Sequence, residues 1–540
     1  MYTIAQLLAS ILGTLAAYGL LLVTRYSYQQ WTSPLQYLPG PPNSSWLYGN
    51  SKEIQSSPPS VLHEKWIEEY GITHVYKWFF THRLYTLDVK AMNHVLTSGP
   101  YDYQKPGFLR RVLSDLLGAG LLVQENEQHR NQRKILNPAF GTAQIREMSD
   151  IFVEESLHLR DIWASQIGAD DKRVRLDVQL WLSRMTLDVI GRAGFNYRFN
   201  ALDSVEPDPL NKAFSTVFGT ANRITLWNVL QNFLPVLRVF PTKSRAAMQE
   251  SQAIMGRIGR ELLQESKKYL YATGEKGDSW RARDLLSLLV RSNMSQDISE
   301  NQRMTDEDVL AQIPTFLTAG HETSSSATTW TLFALCQDKE IQHKLRQELL
   351  KVATESPTMD VLNSLPYLDA VVRESLRLHA PVSATSRVAT KDDFLPLATP
   401  FTDKKGAVHD SIRVRKGDTL LIPIRAMNRS KTYWGEDAQE FKPERWITPG
   451  GIPSATSAIP GIWGNMMTFL GGPHSCIGYR FALVEIKALL FTLVRSFEFE
   501  LAVAEDDVVG KSSLVVRPHL KSEPEKGSQL PLWIKPYVPS

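Results

Sequence analysis

The chain has 540 residues, of which 43% are hydrophobic and 22% are charged, so it can form a sizeable globular core. Its formal net charge of +3, without any run of five basic residues, excludes the profile of a nucleic-acid-binding protein. Because Cys336 and Cys476 are the only cysteines, a four-cysteine zinc site is excluded, and we expect one large domain in a reducing compartment.

The first predicted element is an apolar helix near the N-terminus. Residues 4–23 contain no charged side chain, and a helix of this length spans about 30 Å, the thickness of a bilayer core. Gln6, Ser10, Thr14 and Tyr18 recur every four positions and share one face. A cleaved signal peptide is the alternative, but a basic segment before the apolar stretch is absent. We therefore predict a transmembrane anchor over residues 4–23.

The next segment, residues 24–50, is a predicted proline-rich hinge. The sequence Leu38-Pro-Gly-Pro-Pro42 favours a stiff extended chain, because proline lacks a backbone donor and fixes its own φ angle. Residues 51–540 then form the predicted globular domain. Short β-like segments lie between Thr73 and Val95, whereas the pattern from Leu157 to Gln264 is mostly helical and includes an apolar stretch over residues 214–234.

A charged amphipathic helix is predicted over residues 125–140. His129 and Arg133 are four residues apart and share one face, while Arg130 and Lys134 share the neighbouring face. A solvated charged face is the alternative interpretation, and it applies more to Arg130 and Lys134 than to the first pair.

A long helix is predicted from Thr305 to Gln337, with a kink near Pro314. Its middle contains Ala319-Gly-His-Glu-Thr323, where glycine is a poor helix former and a hydroxyl competes for a backbone carbonyl. We therefore expect a local distortion there. Incidental polar residues on an ordinary helix are the alternative.

Another helix is predicted over residues 365–379, with Glu374 and Arg377 three residues apart and able to pair. A Glu-x-x-Arg spacing is weak evidence when it stands alone. A strand containing Arg387 follows, and the segment Phe441–Trp446 contains Arg445.

The most informative segment contains Cys476, which lies in a glycine-rich turn directly before a predicted helix over residues 479–497. The N-terminus of a helix favours an anion, so the sulfur is expected to be a thiolate, which is a metal ligand. The glycines allow a flat ligand to approach the backbone closely. Phe469 can pack under this ligand, and His474 can reach an anionic group at the edge of the ligand. These features describe a haem with a cysteine axial ligand. A buried structural cysteine is the alternative, as Cys336 is expected to be.

The motif Phe-x-x-Gly-x-(Arg or His)-x-Cys-x-Gly occurs here at Phe469, Gly472, His474, Cys476 and Gly478, and through it the chain resembles the cytochrome P450 monooxygenases. The resemblance covers nearly the whole chain, and the general pattern is similar to that of fungal secondary-metabolism members. It implies the cytochrome P450 fold, mainly α with small β-sheets, and one haem b whose iron has Cys476 as its axial ligand.

The resemblance also implies the roles of the other site residues. The implied haem-binding residues, some of which contact the haem propionates, are His129, Arg133, Arg387, Phe469, His474 and Cys476. At residue 129 this chain has histidine where the family usually has tryptophan. Glu322 and Thr323 are the implied catalytic pair, which supplies protons for dioxygen cleavage. A structural network that holds the cysteine turn is implied for Glu374, Arg377 and Arg445.

The expected activity is the insertion of one oxygen atom of O2 into a lipophilic small molecule, such as a terpenoid secondary metabolite. An NADPH-dependent reductase is the expected electron donor, since no flavin or nicotinamide fingerprint follows any predicted strand. In membrane-bound members of the family, the region that corresponds to residues 214–234 forms a lid over the substrate channel, and the resemblance implies the same role here. A haem-thiolate isomerase or dehydratase and a non-catalytic haem sensor are the alternatives, and the presence of Glu322 and Thr323 argues against the isomerase.

The expected location follows from the anchor and the resemblance. Arg25 is the only basic residue close to the apolar segment, which weakly favours a cytosolic position for the rest of the chain. Together with the resemblance, this predicts a single-pass protein of the endoplasmic reticulum membrane with its catalytic domain in the cytosol.

Overall fold

A computed structural model of the chain describes residues 4–168, 172–204, 212, 243–273, 284–294, 302–512 and 514–538. These residues are mainly helical with small β-sheets, which confirms the predicted fold class. The apolar stretch over residues 214–234, predicted as a lid, lies outside the described residues.

The helices range from single turns to a helix of 31 residues. In chain order they are α1 (Ile4–Trp31), α2 (Ser51–Ser56), α3 (Val61–Tyr70), α4 (Val89–Asn93), α5 (Gly107–Leu117), α6 (Asn126–Leu136), α7 (Thr142–Ser165), α8 (Val178–Phe195), α9 (Lys243–Thr273), α10 (Leu285–Met294), α11 (Asp306–Leu310), α12 (Gln312–Gln337), α13 (Lys339–Leu350), α14 (Met359–Ser364), α15 (Pro366–Leu378), α16 (Ile424–Asn428), α17 (Lys431–Trp434) and α18 (Tyr479–Ser496).

The strands are short and form separate small sheets. They are β1 (Thr73–Trp78), β2 (Thr81–Thr86), β3 (Tyr103–Gln104), β4 (Val174–Asp177), β5 (Thr385–Ala389), β6 (Asp393–Thr402), β7 (Val408–Val414), β8 (Thr419–Ile422), β9 (Phe497–Leu501), β10 (Val508–Ser512), β11 (Val516–Leu520) and β12 (Pro531–Pro536).

One compact unit comprises Met1–Gln104 and Ala384–Ala426. It contains the β6-β7 hairpin and a five-stranded sheet with the order β1-β2-β8-β5-β3, in which only β2 and β8 are parallel. The proline-rich segment lies against β1, where the N–H of Val75 donates to the carbonyl of Pro39 (2.8 Å). A Cβ atom at Gly40 would lie 1.9 Å from the carbonyl oxygen of Val75, so this close approach requires glycine.

The other compact unit comprises Lys105–Ser383 and Met427–Ser540. It contains the sheets β4-β12-β9 and β10-β11 and a helical core in which α12 packs against α8 and α18 packs against α7. Apolar side chains such as Leu182 in α8, Leu332 in α12 and Leu489 in α18 are completely buried in this core. Burial of each such side chain stabilises the fold by about 1.5–3 kcal/mol.

The predicted helix from Thr305 to Gln337 is divided into α11 and α12. Thr305 caps α11 through a reciprocal pair of hydrogen bonds with Asp308. Pro314 is the third residue of α12, so the interruption of the helix lies before the proline and not at it. In the first turn of a helix the missing N–H of proline breaks no helical hydrogen bond. Helix α12 is continuous through Gly320, where a Cβ atom would lie only 2.8 Å from the side chain of Ile190 in α8.

The predicted transmembrane anchor over residues 4–23 is wrong. Within the part of the chain that the structure describes, every helix falls short of the length and apolar character that a membrane crossing needs. Polar side chains such as Gln6, Ser10 and Thr14 lower the mean hydropathy of α1, and the hydroxyl groups of the last two donate to backbone carbonyls one turn earlier. The predicted single-pass location in the endoplasmic reticulum membrane depended on this anchor and is therefore also wrong.

Candidate active site

Cys476 lies in a closed turn that leads into α18. Its N–H donates to the carbonyl oxygen of Phe469 (2.8 Å), which closes the turn. Gly472 has a φ angle of +68°, and a Cβ atom at Gly471 would lie 1.6 Å from a backbone carbonyl oxygen, so both positions require glycine. Among the described residues, no side chain caps α18 at Gly478, which leaves the first N–H groups of the helix available to the turn.

The surroundings of Cys476 fit a haem-bound thiolate. Burial raises the pKa of the Cys476 thiol, while the N–H of Gly478 and the guanidinium group of Arg133 lower it. The residue is nevertheless exposed in the structure, so its side chain is open to a ligand. Ala319 is likewise exposed, although most residues of α12 are buried. Ligation to a metal cation would further stabilise the thiolate form of this sulfur.

Two of the predicted propionate-binding residues contact each other directly. The rings of His129 in α6 and His474 in the cysteine turn lie 4.0 Å apart between centroids, at an interplanar angle of 30°. The Nε2 atom of His474 also lies 3.3 Å from Oε2 of Glu125, and the Nζ atom of Lys105 lies 3.3 Å from Oε1 of the same carboxylate. The sequence did not identify Glu125 or Lys105, since neither residue type at these positions matches a haem-binding motif.

Arg133 connects α6 to the cysteine turn. Its Nη1 atom donates to the carbonyl oxygen of Ser475 (2.6 Å), the residue before Cys476, and its Nε atom donates to Asn137 (2.9 Å). Arg387 belongs to the other compact unit, where it is buried in β5 and donates to the carbonyl oxygen of Ser386 (2.9 Å).

Phe469 is a buried residue at the start of the turn. Its ring packs against Trp463, with 5.6 Å between centroids, and against Tyr479, with 5.9 Å. These aromatic contacts fix the segment immediately before the glycines.

The predicted structural residues Glu374, Arg377 and Arg445 lie together in a buried cluster. Arg377 donates to both carboxylate oxygens of Glu374 at 2.8 Å, and the Nε atom of Arg445 lies 3.4 Å from Oε1 of Glu374. Arg445 also pairs with Asp437 (2.9 Å) and thereby lowers the pKa of that carboxyl to about 2.

Asn428 connects this cluster to the cysteine turn, and the sequence did not identify it. Its carbonyl oxygen accepts from Arg377 (2.9 Å), while its side-chain Oδ1 accepts from the N–H of Met467 (2.7 Å). Its Nδ2 atom donates to Thr468 (2.8 Å), the residue before Phe469. Asn428 thus links the buried Arg377 by hydrogen bonds to the backbone that precedes the cysteine turn.

The predicted catalytic pair lies in the middle of α12, where Glu322 is buried. The hydroxyl of Thr323 donates to the carbonyl of Ala319 (2.7 Å). Glu322 forms an ion pair with Arg517 through Oε2, and its Oε1 atom lies 3.2 Å from Nε2 of His321. No sequence pattern indicated Arg517, because it belongs to a strand far downstream.

The family model described as "Cytochrome P450" matches residues 39–522. Cytochrome P450 monooxygenase 205 of Postia placenta is 53% identical over 512 residues, which cover 94% of each chain. Cytochrome P450 monooxygenase 128 of the same fungus is 50% identical over 535 residues, which cover 97% of each chain. A ganoderic acid synthetase of Ganoderma lucidum is 34% identical over 523 residues, which cover 92% of this chain and 93% of the relative.

Proposed function

The chain belongs to the cytochrome P450 family of haem-thiolate monooxygenases, and on that premise we propose that it inserts one oxygen atom of O2 into a lipophilic secondary metabolite of terpenoid type. Its relatives are fungal monooxygenases, and one of them is named a ganoderic acid synthetase, which supports a substrate from secondary metabolism. We infer that a separate NADPH-dependent reductase supplies the electrons, since the chain has no sequence fingerprint for a flavin or a nicotinamide.

The observation that most supports this proposal is the exposed Cys476 in a rigid turn at the start of α18. We assign Cys476 as the axial ligand and His129, Arg133, Arg387 and His474 as residues that would hold the propionates. A haem ligated by a thiolate supplies the electron-rich iron that activates dioxygen. The chain itself supplies the ligand, the orientation of the substrate and the protons.

Thr323 and Glu322 are proposed to share the proton delivery. Because the hydroxyl hydrogen of Thr323 is donated to Ala319, the Thr323 oxygen presents only acceptor lone pairs to its surroundings. It can therefore orient a donor next to it, whereas Glu322 can release and recover a proton.

The proposal can be tested with the full-length protein, a fungal P450 reductase and NADPH under ¹⁸O2. A panel of terpenoids, fatty acids and aromatic compounds should yield at least one product with a single ¹⁸O atom, in a reaction that requires both NADPH and O2. Product formation without NADPH and O2 would instead establish the isomerase or dehydratase.

A further inference from the structure

Asp369 is a half-buried carboxylate in α15 that binds two cations. Its Oδ2 atom accepts from Nε of Arg373 (2.5 Å), which lies one turn further along the same helix. Its Oδ1 atom lies 2.8 Å from Nζ of Lys487 in α18, the helix that follows Cys476. Burial alone would raise the pKa of Asp369, but Lys487 and Arg373 hold it below its usual value, so the carboxyl group is charged.

Lys487 depends on this carboxylate. Its side chain is only 4% exposed, and its ammonium group also donates to the side chain of Asn363 in α14 (3.0 Å). A buried charge is costly unless it is paired and hydrogen-bonded, so the pair with Asp369 fixes where α18 lies against α15. Because α18 begins at Tyr479, directly after the cysteine turn, this contact fixes the segment that follows the turn.

Arg373 lies over two indole rings. Its guanidinium carbon is 4.7 Å from the ring centroid of Trp463 and 5.6 Å from that of Trp446. The electron-rich faces of these rings attract the guanidinium cation, and the bond from its Nε atom to Asp369 fixes its orientation. The position of Trp463 is therefore set by a side chain of α15.

Trp463 contacts the start of the cysteine turn. Its ring packs against Phe469 with 5.6 Å between centroids, and the carbonyl oxygen of Phe469 accepts from the N–H of Cys476 (2.8 Å). The N–H of the preceding Ile462 donates to the carbonyl of Leu470 (3.0 Å). A displacement of the segment around Trp463 would therefore displace the backbone that closes the turn.

We propose that Asp369 is a positioning residue for Cys476, because it holds the segments before and after the cysteine turn at a fixed separation. It reaches the first segment through Arg373 and Trp463, and it reaches the second through Lys487. We call Asp369 and these three residues the Asp369 cluster. The inference rests on the proposed function, in which Cys476 is the haem ligand, and it extends that function to residues outside the family motif. A turn of fixed geometry keeps the ligand sulfur in one place.

The Asp369 cluster differs from the buried cluster of Glu374, Arg377 and Arg445 in what it connects. The side chains of Asp369 and Arg373 are 28% and 27% exposed, whereas those of Glu374 and Arg377 are completely buried. The buried cluster is bonded to the segment before the turn, while the Asp369 cluster contacts the segments on both sides of it. Loss of the Asp369 cluster should therefore loosen the turn while the buried pair stays intact.

Amide hydrogen–deuterium exchange of the purified full-length protein tests the positioning role without turnover. Arg373→Gln removes the cation over the two rings and leaves Lys487 paired with Asp369, so the fold is retained. Amides of residues 469–478 should exchange about tenfold faster than in the parent, because the turn can then open without displacing a fixed Trp463. Amides of α8 should keep the parent rate. Asp369→Asn should have a larger effect on the turn, since it releases both segments.

Two further variants separate the positioning role from general stability. Trp463→Leu removes the aromatic contact and should reproduce the effect of Arg373→Gln, and the double variant should exchange no faster than either single variant, since both changes interrupt one connection. Asp188→Asn is the matched control, because Asp188 is a buried carboxylate of α8 that accepts from two backbone N–H groups (2.9 Å each). It should leave the exchange of the turn unchanged.

The carbon monoxide spectrum shows whether the geometry of the turn matters for the ligand. As urea is added to reduced Arg373→Gln, the midpoint for loss of the red-shifted Soret band should fall more, relative to the parent, than the midpoint for loss of helical circular dichroism. Asp188→Asn should instead lower both midpoints together, as expected for a residue that only stabilises the fold.

Equal exchange of residues 469–478 in the parent and in Arg373→Gln would overturn the proposal, and so would an increase that is as large in α8 as in the turn. Failure of the proposed function gives a different result. If the exchange changes as expected but the parent itself lacks the red-shifted band, the Asp369 cluster positions the turn and the assignment of Cys476 as the haem ligand is wrong.

Discussion

Arg377 donates to both carboxylate oxygens of Glu374 at 2.8 Å, and the side chains of both residues are completely buried. Two parallel bonds from a planar guanidinium group fix the orientation of the carboxylate as well as its distance. Since Arg377 also binds the backbone of Asn428, which in turn binds Met467, the pair determines the position of the segment before the cysteine turn.

Arg377→Ala should destabilise the fold and reduce haem content. The substitution leaves the charge of Glu374 buried and unpaired, which costs about 3–5 kcal/mol. Thermal unfolding and the haem-to-protein absorbance ratio measure both effects. Arg257→Ala is the matched control, because Arg257 pairs with Glu261 at an exposed site where an ion pair contributes about 0–1 kcal/mol. A soluble Arg377→Ala protein with full haem content would contradict this role.

Cys476→Ser should abolish the red-shifted Soret band that the reduced, carbon-monoxide-bound protein is expected to show. A serine hydroxyl does not supply the thiolate that produces this spectrum. Cys336→Ala is the control, because Cys336 is buried in α12 and burial raises the pKa of its thiol, so it remains protonated. Persistence of the band in Cys476→Ser would show that the ligand was assigned incorrectly.

Gly320→Ala should destabilise the contact between α12 and α8. The new methyl group would lie 2.8 Å from Ile190, so the isoleucine must move, at a cost of about 1–3 kcal/mol. Ile190→Ala, which removes the obstructing atoms, should recover part of the loss in the double variant. Gly256→Ala in α9 is the control, since its nearest neighbour is the flexible end of Arg260 at 3.4 Å. Urea unfolding is the measurement, and equal stability of Gly320→Ala and the parent would refute the steric explanation.

Two buried histidines should make the protein sensitive to mild acid. His63 and His74 stack on Tyr85 at 4.7 and 4.6 Å, and burial lowers the pKa of His63 to about 3 and that of His74 to about 4. In the unfolded chain both imidazoles bind protons below a pH of about 6.5, whereas in the folded chain they stay neutral until the pH approaches 4. The free energy of unfolding is therefore unaffected by these histidines above a pH of about 6.5 and falls as the pH decreases towards 4.

The expected slope is about 1.4 kcal/mol per pH unit for each histidine within this window. His63→Phe should reduce the slope of unfolding free energy between pH 6 and pH 5, as measured with urea. His343→Gln, at an exposed position in α13, should leave the slope unchanged. Identical slopes in His63→Phe and the parent would show that this cluster does not control the acid sensitivity.

The sequence predicted well those parts of the site that depend on local order. The turn around Cys476 is such a case, because glycine positions and a following helix are visible within a few residues. The sequence could not predict that Arg517 meets Glu322 or that Glu125 meets His474, since these contacts depend on how distant elements pack. The predicted anchor failed for another reason, because a stretch without charges can still contain enough polar side chains to fall short of a membrane-spanning helix.

The prediction that tests chemistry rather than folding concerns Thr323. Thr323→Ala removes the hydroxyl without adding volume, so haem binding and the carbon monoxide spectrum should be retained. Proton transfer should become slower or misdirected, and reducing equivalents should be lost as hydrogen peroxide. Removal of one acid–base partner lowers such rates by roughly 10²–10⁴-fold at most, and a substituting water can make the loss smaller. The ratio of product to NADPH consumed is therefore the decisive measurement.

A matched control for this variant exists in the same helix. The hydroxyl of Thr328 donates to the carbonyl of Ser324 (3.0 Å), the same local bond that Thr323 makes to Ala319. Thr328→Ala therefore removes an equivalent helix contact at a completely buried position outside the proposed pair, and it should keep the parent ratio. If Thr323→Ala also kept the parent ratio with a native substrate, its hydroxyl would be dispensable for proton delivery. In that case the contribution of this segment would have to come from Glu322 and its partners alone.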